Sequence, residues 1–230
     1  MIDIHTHILP GIDDGASTVD ESKEMFREAQ KQGIKVCIAT PHCIVHDNEK
    51  INNFIEKRDK SYKKLMRELA DEQGFPHIFP GAEVYFDNDI SKYPDIKKLC
   101  IADSEYMLIE MPKRRNYRKI AEWVYALTLL GVKPIIAHID RYPDWLELVK
   151  SLGDMELIYQ INASVFLSIK GRGFVRKFMK YNRPIIVGSD MHNTTERPCN
   201  MREAYKLAKK KFGDVADYFF RNDEVESENV

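Results

Sequence analysis

The N-terminus reads Met1-Ile2-Asp3-Ile4-His5-Thr6-His7, an alternating apolar and polar run that ends in a His-x-His pair. In an extended backbone, side chains at i and i+2 point the same way, so the two imidazoles form a bidentate start for a transition-metal site. A pair of histidines at a chain end is also an ordinary surface feature, so the rest of the sequence must decide. It supplies further donors near the ends of short apolar runs: His42 after Thr40-Pro41, Glu83 after Gly81-Ala82, and Glu110 in Tyr106-Met107-Leu108-Ile109-Glu110. His138 follows Ile135-Ile136-Ala137, and Asp190 and His192 follow Ile185-Ile186-Val187-Gly188-Ser189. Five of the seven histidines stand at such positions, and His46 and His77 do not.

A carboxylate such as Glu110 in an apolar strand needs a partner, because burying it unpaired costs several kcal/mol. Imidazole and carboxylate donors without thiolate suit zinc, manganese or iron. Each ion takes about four to six donors and carboxylates can bridge, so this set predicts two or three divalent ions. Clustered metals are the usual machinery for hydrolysing phosphate esters. Arg141 and Arg197 lie just past two of the donors, in His138-Ile139-Asp140-Arg141 and His192-Asn193-Thr194-Thr195-Glu196-Arg197. A guanidinium fork matches phosphate oxygens, and a surface ion pair is the plain alternative for each arginine. Lys113-Arg114-Arg115 either draws in an anionic substrate or is a solvated loop. A thiolate-dependent phosphatase needs a Cys followed six residues later by Arg; those positions after Cys37, Cys43, Cys100 and Cys199 are Cys43, Glu49, Tyr106 and Tyr205. There is no P-loop and no GxGxxG motif.

Such donors require a scaffold that gathers strand ends. Seven apolar runs alternate with helical patterns, which predicts a mostly parallel sheet wrapped by helices, either open and doubly wound or closed into a barrel. Donors at strand ends favour the barrel, whose C-terminal edges meet at one mouth. Only the sixth strand, Leu157-Ile158-Tyr159-Gln160-Ile161-Asn162, offers no strong ligand. The third carries Pro80-Gly81, which weakens it as a strand. Thr18-Val19-Asp20-Glu21 has capping-box spacing for a first helix, and Gly33 suits its stop. Further helices are predicted at about 49–73, closed by Gly74, and at about 117–130, 143–152, 172–181 and 200–212. Residues 87–103 are read as a helix with a short excursion. The acidic end, 222–230, reads as a disordered tail, which leaves 1–221 as a single domain.

The 230 residues are 43% hydrophobic and 31% charged with net charge −1, enough for a substantial core and without a general pull toward nucleic acid or an acidic membrane. Asp3, His5 and His7 interrupt any leader-like start, and no apolar run approaches the ~20 residues needed to span a bilayer. The scattered cysteines read as reduced thiols, which predicts a cytoplasmic protein without stable membrane insertion.

Taken together, Asp3-Ile4-His5-Thr6-His7, Thr40-Pro41-His42, Gly81-Ala82-Glu83, Ala137-His138-Ile139-Asp140-Arg141 and Gly188-Ser189-Asp190-Met191-His192 resemble the PHP superfamily, named for polymerase and histidinol phosphatase. Asp13-Asp14-Gly15, and His138 followed by Arg141-Tyr142-Pro143, are similar to one branch: the bacterial manganese-dependent protein-tyrosine phosphatases of capsule and exopolysaccharide loci. The resemblance implies an α/β fold, a distorted seven-stranded TIM-like (β/α)7 barrel holding three metals. One would take His5, His7, Glu83 and Asp190. Glu83 would bridge to a second, held also by Glu110 and His138. The third would take His42, His192 and Asp14, with Asp13 next door and either carboxylate able to reach. Glu110 stands where other PHP branches have histidine. Manganese is the implied metal, with iron or zinc suiting the same donors. The implied substrate is the phosphorylated tyrosine-rich tail of a membrane-associated bacterial tyrosine kinase. The expected reaction is in-line attack of a metal-bridging hydroxide, with Arg141, Arg197 and Asp14 at the catalytic centre and no phosphoenzyme. A small ester such as histidinol phosphate is the alternative substrate, and a non-catalytic module that binds a kinase tail is the alternative class.

Overall fold

The structure is a computed structural model that describes residues 1–70, 72–112 and 116–221. All strand pairing in it is parallel. One sheet has the order β1-β2-β4, from β1 (Ile2–Thr6), β2 (Val36–Ala39) and β4 (His77–Pro80); the other has the order β3-β5-β6-β7-β8-β9. Its strands are β3 (His42–Cys43), β5 (Glu83–Tyr85), β6 (Tyr106–Glu110), β7 (Lys133–Ile136), β8 (Ile158–Asn162) and β9 (Ile185–Gly188). The third expected strand, 77–84, is therefore broken in two, and the short β3 is an unexpected strand just past the end of the second. The gaps fall at Thr40-Pro41 and Gly81-Ala82, where proline lacks a donor and glycine lacks a side chain to pack. The chain itself carries one sheet into the other at both gaps. At the far side, Asp190 N–H donates to His5 O and His7 N–H donates to Met191 O, both at 2.9 Å, so β1 lies beside the end of β9. Among the described residues these loop bonds, rather than a continuous ladder, join the first and last strands.

Side chains alternate between two apolar clusters, as expected of strands covered on both faces. Ile4, Ile38, Leu108, Ile135, Ile158 and Ile186 fill the interior, whereas Val84, Met107, Ile109, Ile136, Ile161 and Val187 pack outward under the helices. Each fully buried side chain of this kind stabilises the fold by about 1.5–3 kcal/mol. Above the interior isoleucines the same strand faces turn polar: Glu110 follows Leu108 and Gln160 follows Ile158 at two-residue spacing. β1 does not follow simple alternation. Asp3 pairs with Cys37 but Thr6 pairs with Ala39, so β1 carries one extra residue between them. That irregularity re-aims the strand, and His5 joins Ile4 on the interior side.

The helices are α1 (Val19–Lys31), α2 (Asn48–Glu68), α3 (Tyr117–Leu129), α4 (Trp145–Leu152), α5 (Ile169–Met179), α6 (Met201–Phe212) and α7 (Val215–Arg221). Thr18 caps α1 by accepting from Glu21 N, while Glu21 accepts from Ser17 N. α2 stops five residues short of its expected end, because after Leu69 the sequence offers no large apolar side chain before Phe75 to hold another turn. Residues 87–103 are not an α-helix. Pro94 and the Asn/Asp/Ser content break the pattern, and buried Ile90, Ile96, Leu99 and Ile101 anchor a loop with two 3-10 turns, Ile96–Leu99 and Ile101–Asp103. α5 begins earlier than expected because Ser168 caps it, and α7 was not anticipated. Lys113-Arg114-Arg115 and 222–230 lie outside the described residues. No described helix is long and apolar enough to cross a membrane.

Candidate metal centre

The expected donors meet at the mouth formed by the strand ends. His5 Nε2 and His7 Nε2 are 3.1 Å apart, and Glu83 Oε2 lies 3.3 and 3.4 Å from them. Asp190 Oδ1 lies 3.6 Å from His5 Nε2 and 3.5 Å from His7 Nε2. His42 Nδ1 is 2.9 Å from Glu83 Oε2, and His138 Nε2 is 2.8 Å from Glu83 Oε1 and 3.7 Å from Glu110 Oε1. Asp14 Oδ1 stands 3.3 Å from both His42 Nε2 and His192 Nε2. Three donor groups are close enough to share an ion: His7, Asp14, His42 and His192; His5, His7 and Asp190; and His42, Glu83 and Glu110. His138, beside Glu83 and Glu110, stands outside all three groups, as do His46 and His77.

Local structure explains how single residues reach this point. His138 and Asp190, each two residues past the end of its strand (β7 and β9), both adopt positive φ (31° and 55°), which turns the chain sharply there. Gly188 faces β1 so closely that a Cβ there would meet His5 Cβ at 2.8 Å, and a Cβ on Gly15 would meet His7 O at 2.0 Å. Asp13 and Asp14 divide their work. Asp13 Oδ2 is 2.6 Å from His7 Nδ1 and accepts from His42 N, so Asp13 orients the far side of His7 while Asp14 faces the donors.

Electrostatics fit a cation. Burial opposes ionisation of Glu83, but the charge of His5 and the imidazoles of His138 and His42 beside it outweigh burial and hold its carboxyl well below the usual range. Burial likewise opposes charge on His7, yet Asp13, Asp190 and Glu83 raise it well above an ordinary imidazole. Asp190, opposed by burial, is also driven below the usual range by His5 and His7. Burial and then the charge of Glu83 raise Glu110. The remaining signature is unsatisfied polarity: Glu83 Oε2 and His192 Nε2 are buried and make no hydrogen bond. Buried polar atoms without partners are rare in folded proteins, and an ion at the centre of the cluster would satisfy both.

The sequence matches the CpsB/CapC capsular polysaccharide synthesis family over residues 1–225. The chain belongs to the CpsB/CapC family. It is 36% identical to the tyrosine-protein phosphatase CpsB of Streptococcus pneumoniae, across 93% of this chain and 91% of that protein. It is 34% identical to the tyrosine-protein phosphatase YwqE of Bacillus subtilis, across 95% and 87%. A crystal structure from work on YwqE of B. subtilis and CpsB of S. pneumoniae, described as unique metal-dependent tyrosine phosphatases, superposes with a TM-score of 0.82 at 30% identity, covering 100% of this chain and 95% of that one. A histidinol phosphate phosphatase from Lactococcus lactis shares the fold alone, at a TM-score of 0.53 and 14% identity. With relatives that are tyrosine-protein phosphatases matched along nearly its whole length, the chain is an enzyme of the phosphatase class.

In this CpsB/CapC-family chain the arginines stand at the rim. Arg197 Nη2 lies 2.7 Å and Arg141 Nη1 3.2 Å from Asp190 Oδ2, with side chains 36% and 50% exposed. Each thus has the ion pair that was the plain alternative, and retains exposed N–H groups. The loop bearing Arg197 is ordered by Asn193 Oδ1, which accepts from the backbone N–H groups of Thr195, Glu196 and Arg197. Sequence reasoning passed over Gln160 and Asn162, which touch His5 and Asp190, and Asp140, which accepts from Asn162 N. Their inward-facing two-residue spacing above Ile158 was the available signal. Asp3 accepts from Ser189 N and His5 N, clamping β1 to the segment that carries Asp190.

Proposed function

We propose that this chain is a metal-dependent protein-tyrosine phosphatase, with two or three divalent ions held by His5, His7, Asp14, His42, Glu83, Glu110, His138, Asp190 and His192. The observation that carries the reading is Glu83, a buried carboxylate with three imidazoles within 3.4 Å of an oxygen that makes no hydrogen bond. When bound, divalent cations supply Lewis-acid polarisation of phosphoryl oxygens and lower the pKa of water. Arg141 and Arg197 orient the phosphoryl group and take up charge that grows on its equatorial oxygens in the transition state. Asp190 fixes both guanidiniums so that they need little reorganisation. A phenolate leaving group, with a conjugate-acid pKa of about 10, needs less protonation than an alkoxide, so no dedicated acid is required. No side chain acts as a nucleophile. All four cysteines are buried, and burial pushes the Cys43 and Cys100 thiols up to about 12.

The family's place in capsular polysaccharide synthesis supports a phosphotyrosine protein as substrate, and we assign that role to the tyrosine-rich tail of a bacterial tyrosine kinase. Manganese is the proposed metal. The test is hydrolysis by metal-stripped protein after manganese, zinc or magnesium is added back, with a phosphotyrosine peptide and histidinol phosphate compared. Metal-restored hydrolysis that favours the peptide supports the reading. A large advantage for histidinol phosphate overturns the substrate, and metal retention without hydrolysis of either overturns the enzyme.

A further inference from the structure

Strand β8 gives no donor to the cluster, yet its two inward amides tie together three strands that do. Gln160 Oε1 lies 2.6 Å from His138 N and 3.2 Å from His5 Nδ1. Gln160 Nε2 lies 2.8 Å from Asn162 Oδ1, and Asn162 Nδ2 lies 2.9 Å from Asp190 Oδ2. Both amides are buried. The polarity of this chain is dictated at both ends. A backbone N–H only donates, so the atom facing His138 N must be the Gln160 carbonyl. A carboxylate only accepts, so the atom facing Asp190 must be the Asn162 amine. The link between them then runs from Gln160 Nε2–H to Asn162 Oδ1, with no frustrated contact. Because Gln160 Oε1 carries no proton, the proton between it and His5 belongs to His5 Nδ1. The Nε2 lone pair is thereby left facing His7 and Glu83.

We propose that Gln160, braced by Asn162, is a positioning residue that selects the metal-binding tautomer of His5. The inference rests on reading the cluster as a metal centre. Without the Gln160 carbonyl, His138 N–H and His5 Nδ1–H are left buried without an acceptor. His5 then gains access to the tautomer that aims N–H at the place of the ion. Outer partners of this kind are worth 10–100-fold in metal affinity, as an order-of-magnitude expectation.

Zinc is the probe, because it is diamagnetic and suits the donors. Metal-stripped full-length wild type, Gln160→Leu and Gln160→Glu are titrated with zinc against a chromophoric chelator at one pH. Glutamate keeps both acceptor contacts and gives up only the donor to Asn162 Oδ1, whereas leucine keeps none of the three. The expected result is zinc binding about 10–100-fold weaker in Gln160→Leu and within about threefold of wild type in Gln160→Glu. Wild-type affinity in Gln160→Leu overturns the proposal, and so does an equal loss in both variants, which marks Gln160 as packing alone. Nitrogen-15 spectra of histidine-labelled, zinc-loaded wild type decide independently of whether the variants fold: the His5 proton belongs on Nδ1, and a proton on Nε2 overturns the proposal. Wild type that binds no zinc overturns both this inference and the metal centre. Tight zinc binding without phosphotyrosine hydrolysis contradicts only the enzymatic reading.

Discussion

Arg197 Nη2 stands 2.7 Å from Asp190 Oδ2, while Oδ1 of the same carboxylate faces His5 and His7 at 3.6 and 3.5 Å. One carboxylate thus divides its oxygens between a guanidinium and the donor cluster. Arg141 shares Oδ2 at 3.2 Å but is more exposed. Replacing Arg197 with alanine is expected to lower kcat on a phosphotyrosine peptide by about 100–1,000-fold, the effect of deleting one preorganised donor to a developing oxyanion. Arg141→Ala is expected to cost about tenfold, since a half-exposed guanidinium is better screened. Steady-state kinetics on the two variants check both figures, and a larger loss at Arg141 would reverse their assigned weights.

Glu83 is a carboxylate that four imidazoles approach, those of His5, His7, His42 and His138. Gln at this position keeps the shape but removes the charge that His5, His42 and His138 face. Glu83→Gln should weaken metal binding by at least the ~10–100-fold seen for outer partners, with activity falling in step. Metal content by elemental analysis, alongside hydrolysis rate, is the measurement. Full metal content with full activity would remove Glu83 from the centre.

Proton competition gives the cluster a pH dependence. Burial opposes charge on His5 and His7, but Glu83 and Asp190 near His5, and Asp13, Asp190 and Glu83 near His7, raise both imidazoles above their unfolded value. In metal-free protein this contributes stability that is fully present below about pH 6.5 and is lost as pH rises through the folded values. Metal needs the neutral imidazoles, so its binding releases protons and strengthens in the direction in which the metal-free protein weakens. The rise in melting temperature on adding manganese should therefore grow from about pH 6 to about pH 8. Thermal unfolding with and without metal at several pH values tests this, and a pH-independent difference would contradict it.

Gly15 permits the Asp13-Asp14 loop to pass against the His7 backbone, where Ala16 N–H donates to His7 O at 3.1 Å. A methyl group there meets that carbonyl at 2.0 Å, so Gly15→Ala must displace the loop. The expected cost is about 1–3 kcal/mol, or about 2–4 °C of melting temperature for each kcal/mol. Affinity for metal should fall as well, because Asp14 moves with the loop. An unchanged melting temperature would show that the loop has room to spare.

Much of this molecule was legible from residue type and local spacing. His5-x-His7, the donors after apolar runs, and the Thr18 cap are short-range features that fix which side chains lie at which strand ends. Helix α3 was legible because its apolar period is strong, whereas 87–103 was misread because buried isoleucines in a loop mimic a helical face. The run that holds β4 and β5 was read as unbroken because hydropathy does not register a change of hydrogen-bonding partner, and the two-residue β3 is too short to carry a pattern.

What the sequence determined by itself was the donor inventory, the parallel alternation and the absence of a thiolate route, since each depends on residues within a few positions of one another. Tertiary structure alone decided that Asp14 rather than Asp13 faces the donors and that an extra residue in β1 turns His5 inward. It also decided that Asp190 holds both arginines and that Gln160 touches a histidine 155 residues away. Those facts depend on register between distant strands and on which atom of a side chain meets which partner, and neither is encoded in any local window of the chain.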